Sequence, residues 1–141
     1  RISLLSVIVG ENSTNVYSVV YDGQENLRGL VAPSLLPNDF HYSEFIQTGD
    51  TSIYWITYRN AEGQQINFYY YLNSASASYD NDYADSYSLA FKGGDMQVAK
   101  NSEQNTTVYF SYNADFVQID FDFDVSDVEL QAIAESLEFI K

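Results

Sequence analysis

The last quarter of the chain opens with a strict hydrophobic alternation. Residues 116–124 alternate between apolar and polar side chains. The residues on one face are Val117, Ile119, Phe121 and Phe123, and those on the other face are Gln118, Asp120, Asp122 and Asp124. Because successive side chains of a strand point to opposite faces of a sheet, this alternation predicts a half-buried β-strand.

A second pattern follows directly and predicts an amphipathic helix. Ser126 can cap the helix, and Glu129, three residues later, can reach back to the capping residue. Val125 and Leu130 stand where a hydrophobic staple closes the entry to a helix. Apolar residues then recur at helical spacing, at Leu130, Ile133, Ala134, Leu137 and Ile140. The chain is therefore expected to end in a strand followed by a capped helix.

Three further strands are predicted in the middle of the chain, as an antiparallel meander. They cover residues 40–47, 52–59 and 65–72, with turn-forming residues at 49–50 and 60–63 between them. Apolar and aromatic residues occupy both faces of the second and third strands. This pattern is typical of central strands in a sheet that is covered at least partly on both sides.

The remaining apolar runs complete the predicted fold. Residues 2–9 and 16–21 favour a β-hairpin, with a helix over residues 2–9 as the alternative. Residues 87–91 and 96–99 flank a glycine turn, and residues 107–112 predict another strand. We expect an α+β fold: an antiparallel sheet of six to eight strands with the C-terminal amphipathic helix packed on one face. At 141 residues, the chain predicts a single globular domain over residues 1–141.

The charge balance limits the class of partner. The chain has 6 basic and 20 acidic residues and a net charge of -14, and its basic residues do not cluster. Such a chain cannot neutralise a phosphate backbone or be drawn to an anionic membrane surface, so nucleic-acid binding is not expected. The absence of cysteine excludes disulfides, thiolate metal sites and cysteine nucleophiles. The sequence predicts no cofactor.

Acid–base chemistry has few candidates. His41 is the only histidine and begins a predicted strand, where we interpret it as a surface residue. Asp120, Asp122 and Asp124 share one face of the predicted C-terminal strand, and two such carboxylates would suffice for glycoside hydrolysis. The alternative is that they form a solvated outer face, which the strict alternation favours. We name no catalytic residue.

One short segment resembles the beginning of a calcium-binding loop. Asp80 and Asp82 supply oxygen ligands at the first and third positions, but Ala84 occupies the fifth position and Asp85 is the nearest substitute. Asp80, Asp82 and Asp85 are therefore the candidate metal ligands.

Tyrosine is the most suggestive residue type in the chain. There are 13 tyrosines and 9 phenylalanines. The candidate ligand- or partner-binding residues, predicted on strand faces away from the most apolar side, are Tyr54, Tyr58, Tyr69, Tyr71 and Tyr109. An exposed tyrosine platform would suit a glycan, a peptide or a partner protein. The alternative is a second core layer in which each ring packs and each hydroxyl stays wet.

Four motifs together resemble the bacterial family called domain of unknown function 4367. They are P-x-x-L-P at 33–37, I-x-Y-R-N-x-x-G-x-x-I-x-F at 56–68, the glycine pair Gly93-Gly94, and I-A-E-S-L at 133–137. The likeness covers roughly residues 32–140. It implies a location outside the cytoplasm, behind a lipoprotein signal or a single membrane helix. Some members resemble anti-sigma factors or lipoprotein-sorting carriers at their other end.

The sequence and this resemblance lead to one expected function and two alternatives. We expect a non-catalytic extracytoplasmic binding or sensor module of a membrane- or lipid-anchored bacterial protein, with a protein or glycan partner. Contact with a membrane is expected only through an anchor upstream of this chain. The alternatives are a glycan hydrolase that uses an aspartate pair, and a lipid or lipoprotein carrier with a cavity between sheet and helix.

Overall fold

The computed structural model describes residues 4–9, 12–74 and 85–141. These residues form twelve β-strands, one α-helix and a 3-10 turn at Glu25–Leu27. In chain order the strands are β1 (Leu4–Val9), β2 (Asn12–Ser18), β3 (Val31–Pro33), β4 (Leu35–Pro37), β5 (His41–Gln47), β6 (Ile53–Arg59), β7 (Gln65–Tyr71), β8 (Asp85–Phe91), β9 (Gly94–Lys100), β10 (Thr106–Tyr112), β11 (Asp115–Phe121) and β12 (Leu137–Phe139). The helix, α1, spans Asp127–Glu135.

Seven antiparallel strands form the main sheet, in the order β5-β6-β7-β11-β10-β9-β8. The predicted hairpin pairs β1 with β2, and β4 adds a third strand to that small sheet. Strands β12 and β3 form a two-stranded sheet. The predicted antiparallel sheet with a C-terminal helix is confirmed. The described chain is largely β, however, since one nine-residue helix accompanies twelve strands.

A local turn sets the register of the two central aromatic strands β6 and β7. The Asn60 side-chain oxygen accepts hydrogen bonds from the backbone N–H groups of Glu62 (3.1 Å) and Gln64 (2.9 Å). Gly63 has φ of 82°, a left-handed conformation that costs glycine little. This turn pairs Trp55 directly with Tyr69 across the two strands.

The start of α1 has the predicted capping box. The Ser126 Oγ accepts a hydrogen bond from the Glu129 backbone N–H at 3.3 Å, and the Ser126 backbone N–H donates to Glu129 Oε1 at 3.4 Å. These bonds satisfy donors that the first turn of a helix leaves without intrahelical partners.

The end of α1 differs from the prediction. The helix stops at Glu135, so Leu137 and Ile140 do not continue its apolar stripe but lie in and just after β12. Ser136 explains the stop, because its hydroxyl donates to the Ile133 carbonyl at 2.7 Å and its own carbonyl accepts from Ser34. Within the described ranges, no helix has the length and hydrophobicity that a membrane span requires.

The core lies between the main sheet and the layer that covers it. We call the sheet face that points into this core the inner face, and the opposite face the outer face. The inner face contributes Tyr54, Ile56, Tyr58, Ile66, Phe68, Tyr70, Met96, Val98, Val108, Phe110, Val117, Ile119 and Phe121. The covering layer contributes Leu27, Val31, Leu36, Leu130, Ile133, Ala134 and Leu137.

Candidate functional site on the outer face of the main sheet

The outer face carries a row of aligned side chains that crosses all seven strands. From β5 to β8 its members are Ile46, Trp55, Tyr69, Gln118, Tyr109, Gln97 and Ser88. Successive members are directly paired across neighbouring strands, about 4.8 Å apart. Because side chains alternate between faces, this row lies opposite the inner-face positions of the same strands.

Four aromatic side chains form a patch on this face. The aromatic patch consists of Trp55, Tyr69, Tyr71 and Phe116, all of which are partly exposed. The Trp55 and Tyr69 rings are 5.8 Å apart at a tilt of 39°, and the Tyr71 and Phe116 rings meet edge to face at 6.3 Å. These are favourable ring geometries that leave part of each ring accessible.

A polar pocket of about 310 Å³ adjoins the patch at the end of the sheet where β7 begins and β11 ends. Its lining residues are Gln65, Asn67, Asn101, Asn105, Thr107, Asp120, Phe121 and Asp122. The Asn67 Oδ1 accepts a hydrogen bond from the Thr57 hydroxyl at 2.8 Å. Four of the lining residues carry side-chain amides, so the pocket presents both hydrogen-bond donors and acceptors.

Asp120 and Gln118 connect the patch with the pocket. The Gln118 amide nitrogen donates to Asp120 Oδ1 at 3.0 Å. Burial raises the pKa of the Asp120 carboxyl, while hydrogen bonds from Gln118 and Thr107 act in the opposite direction. Burial also raises the pKa of Tyr69 and of Tyr71, and the negative charge of Asp120 adds to both shifts. Asp120 therefore lies within electrostatic reach of two phenols of the patch.

One buried atom at this junction has no hydrogen-bond partner among the residues that the structure describes. Among the described residues, Gln118 Oε1 is a buried side-chain acceptor without a hydrogen bond. The bond from its amide nitrogen to Asp120 directs Oε1 away from that carboxylate. Buried polar atoms are nearly always paired, so this acceptor is an unusual feature of the surface.

The predicted tyrosines divide between the two faces. Tyr69 and Tyr71 belong to the aromatic patch, and Tyr109 lies in the same row as Tyr69, where it is only 5% exposed. The prediction that Tyr54 and Tyr58 point away from the core is wrong, since they are 1% and 0% exposed. The Tyr54 hydroxyl donates to the Val31 carbonyl at 2.7 Å, and the Tyr58 and Tyr21 hydroxyls are 2.6 Å apart. Their phenols are buried because the covering layer supplies these partners.

Sequence reasoning missed Trp55, Phe116 and Gln118 as members of the site. Strand alternation places Trp55 on the face opposite Tyr54, as observed, but alternation alone does not tell which face of a two-sided apolar strand meets the core. The alignment of Gln118 with Tyr69 depends on the pairing of β11 with β7, which are distant in sequence. The polar alternation of β11 was the one available signal for its outward face.

The three aspartates predicted on one face take different roles. β11 ends at Phe121, so only Asp120 lies on the strand. Asp122 Oδ1 accepts the Gln65 backbone N–H at 2.9 Å, and Asp124 forms an ion pair with Lys100. Asp120 and Asp122 both line the polar pocket, and Asp124 does not. The solvated outer face that the alternation favours is observed at Asp122 and Asp124, which are exposed, while Asp120 is only partly exposed.

Two of the three candidate metal ligands lie outside the residues that the structure describes, so the site stays a prediction. Asp80 and Asp82 lie outside the described residues, and Asp85 begins β8, where it is exposed. Across residues 4–9, 12–74 and 85–141, no group of three or more His, Cys, Asp or Glu side chains is arranged to hold a metal ion. His41 is exposed at the start of the edge strand β5, as the surface interpretation predicts.

Comparison with known proteins gives one match. The family model described as Domain of unknown function (DUF4367) matches residues 30–137. The chain belongs to this family. The match includes the whole main sheet and α1, whereas the β1–β2 hairpin precedes it. No curated protein and no solved structure matches the chain.

Proposed function

We propose that this domain is a non-catalytic extracytoplasmic binding or sensor module of a membrane- or lipid-anchored bacterial protein, and that it binds its ligand on the outer face of the main sheet. The observation that carries the proposal is the partly exposed aromatic patch beside a pocket lined by amide and carboxylate groups. An apolar surface with a few convergent polar groups is the usual composition of a ligand site.

The partial exposure of the patch supports a binding role. The inner face buries the aromatic rings at its centre completely, as Phe68 and Tyr58 illustrate, and leaves only rings nearer its edges, such as Tyr87 and Phe91, partly exposed. Trp55, Tyr69, Tyr71 and Phe116 remain partly exposed on the outer face and cluster in two adjacent rows. Aromatic residues are enriched at interfaces, where their rings supply contact area at a low cost in side-chain entropy.

The interior of the fold supports outer-face binding over the carrier hypothesis. A lipid carrier requires a cavity between the main sheet and α1. The helix side chains Leu130, Ile133 and Ala134 are buried in the same hydrophobic cluster as the inner-face residues, and the pocket beside Ala134, about 230 Å³, is smaller than a typical ligand pocket. The patch and the pocket on the outer face are accessible without any rearrangement of that cluster.

Binding to bacterial cell envelopes tests the site. Labelled domain is incubated with purified envelopes, and bound protein is measured after washing. We expect Trp55→Ala and Tyr69→Ala each to weaken binding at least about tenfold, which corresponds to ~1.4 kcal/mol. Phe139→Ala is the matched control, because Phe139 is 63% exposed and lies in β12, outside the main sheet. Equal binding by all four proteins would refute the assignment of the site.

The location is tested separately with the full-length polypeptide in its native cells. We expect it in the membrane fraction, with this domain accessible to protease added outside intact cells. An unanchored cytosolic polypeptide would contradict the extracytoplasmic part of the proposal and leave the outer-face site to be tested by itself.

A second candidate function is glycan hydrolysis, and one observation favours it. Asp120, whose pKa burial raises, shares the polar pocket with Asp122, and an acid–base pair requires two carboxyl groups with different pKa values. This hypothesis predicts that Asp122→Asn abolishes cleavage of a glycan while the melting temperature stays within the range of the wild type. If no glycan in a broad panel is cleaved, the hydrolase hypothesis fails.

A further inference from the structure

We propose that the ligand of the outer face is an uncharged saccharide, which stacks on the aromatic patch and hydrogen-bonds to Gln118 and the polar pocket. This inference rests on the proposed binding function and specifies its ligand class. Three features carry it: the ring patch, the amide lining of the pocket and the buried acceptor Gln118 Oε1.

The aromatic patch fits the apolar face of a sugar ring. The face of an aromatic ring is electron-rich, and the axial C–H groups of a pyranose are weakly positive, so the two surfaces attract each other. Trp55 and Tyr69 lie on adjacent strands with their rings tilted by 39° to each other. The row that contains them crosses the strands, which gives an extended ligand a path over the sheet.

The polar pocket fits the hydroxyl groups of the same ligand. A hydroxyl group donates one hydrogen bond and accepts others, so it pairs best with groups that do both. The side-chain amides of Gln65, Asn67, Asn101 and Asn105 line the pocket and meet this requirement. Asp120 adds an acceptor that is already oriented by Gln118.

Gln118 Oε1 is the atom that most directly indicates a ligand, because it is an acceptor without a donor among the described residues. It is buried between aligned neighbours on β7 and β10, and among the described residues it accepts no hydrogen bond. The amide cannot turn this oxygen toward Asp120 without placing two acceptors against each other. A ligand hydroxyl would satisfy this oxygen by displacing the side chains that cover it and donating to it.

The charges of the surface favour an uncharged ligand. Among the residues that the structure describes, no basic residue lines the pocket or forms part of the patch, whereas Asp120 and Asp122 both line the pocket, so a phosphate or uronate group would be repelled. An uncharged ligand meets no such repulsion.

The first experiment separates the ligand class from the binding function. Envelopes that bind the wild-type domain are treated either with protease or with periodate, which cleaves vicinal diols. We expect binding that depends on Trp55 to survive protease and to be lost after periodate. Loss after protease with survival after periodate would keep the binding function and overturn the saccharide. Absence of any binding that depends on Trp55 would overturn both.

The second experiment tests the assigned atoms. Oligosaccharides released from the envelopes, together with cellohexaose, chitohexaose and maltohexaose, are titrated while the emission of Trp55, the only tryptophan, is recorded. We expect saturable binding of at least one uncharged oligosaccharide and no binding of hexagalacturonate. Tighter binding of the uronate than of every uncharged oligosaccharide would contradict the proposal.

A pair of glutamine variants isolates the buried acceptor. Gln118→Met keeps the side-chain length but removes the amide, and should weaken binding of the uncharged oligosaccharide at least about tenfold. Gln97→Met is the matched control, because Gln97 lies in the same row but is exposed and bonds to Ser88. Both variants must melt like the wild type, and Gln118→Leu, which also removes the amide, replaces Gln118→Met if that variant does not fold. Equal weakening by the control, or none by the test variant, would overturn the role of Oε1.

Discussion

The two faces of the main sheet use the same residue types in opposite ways. On the inner face, the buried Tyr54 hydroxyl donates to the Val31 carbonyl and the Tyr58 hydroxyl pairs with Tyr21. On the outer face, Tyr69 and Tyr71 are only partly buried and Gln118 Oε1 is unpaired among the described residues. The hydroxyl groups of Tyr54 and Tyr58 on the inner face are hydrogen-bonded within the protein. On the outer face, partly exposed rings and the Gln118 Oε1 acceptor can still contact a ligand. A tyrosine is therefore part of the core where the covering layer packs on it, and part of the candidate site where it lies on the outer face.

The largest expected difference comes from two adjacent residues of β7 that point to opposite faces. Phe68→Ala should lower the free energy of unfolding by about 3–5 kcal/mol, because Phe68 is fully buried and its loss leaves a cavity. Tyr69→Ala should cost only about 1 kcal/mol, since its ring is partly exposed. Urea denaturation measures both. An equal or larger loss for Tyr69→Ala would make the outer face a second core layer.

A smaller effect separates the hydroxyl groups of the two faces. Tyr54→Phe should lower the free energy of unfolding by about 1–3 kcal/mol, because it leaves the Val31 carbonyl without its partner in the core. Tyr69→Phe is the outer-face control and should change stability by less than about 0.5 kcal/mol. Denaturant titration of both proteins gives the comparison. If Tyr69→Phe destabilises the protein more than Tyr54→Phe does, the stability of the inner face does not depend on these internal hydrogen bonds.

A substitution at the N-terminal cap of α1 tests how much the cap stabilises the covering layer of the inner face. Ser126→Ala should cost about 1 kcal/mol, because the first turn of α1 loses the hydrogen bond that its side chain accepts. Ser102→Ala, in the exposed turn before β10, should leave the thermal unfolding curve unchanged. A Ser126→Ala curve that coincides with that of the wild type would show that the cap contributes nothing to the stability of the covering layer.

The smallest expected effect is a pH dependence that arises on the outer face. The raised pKa of Asp120 means that the native state holds its proton more tightly than the unfolded chain. Unfolding therefore releases a proton at pH values between the unfolded and native pKa, and this contribution to stability decreases as the pH rises through that window. Asp120→Asn should remove that dependence and be more stable than the wild type at neutral pH, with no gain at pH values below about 4. Urea denaturation at several pH values checks the sign.

Local patterns predicted much of the fold but only part of the site. The alternation at 116–124, the capping box at Ser126 and the turns of the central meander are short-range signals, and each one is confirmed. The end of α1 was missed because Leu137 and Ile140 keep helical spacing while Ser136 redirects the backbone. Tyr54 was misplaced because both faces of β6 are aromatic and apolar. The alignment of Gln118 with Tyr69 depends on the pairing of β11 with β7, which are distant in sequence, and periodicity does not encode that pairing.

Collisional quenching of Trp55 by acrylamide tests the central claim most directly. Trp55 is the only tryptophan and is partly exposed within the aromatic patch, so acrylamide should quench its emission in the isolated domain. Addition of the envelope glycan fraction to saturation should protect Trp55 and lower the quenching constant at least about twofold, because a ligand stacked on the ring excludes the quencher. If the glycan fraction binds and the quenching constant stays the same, the outer face is not the ligand surface.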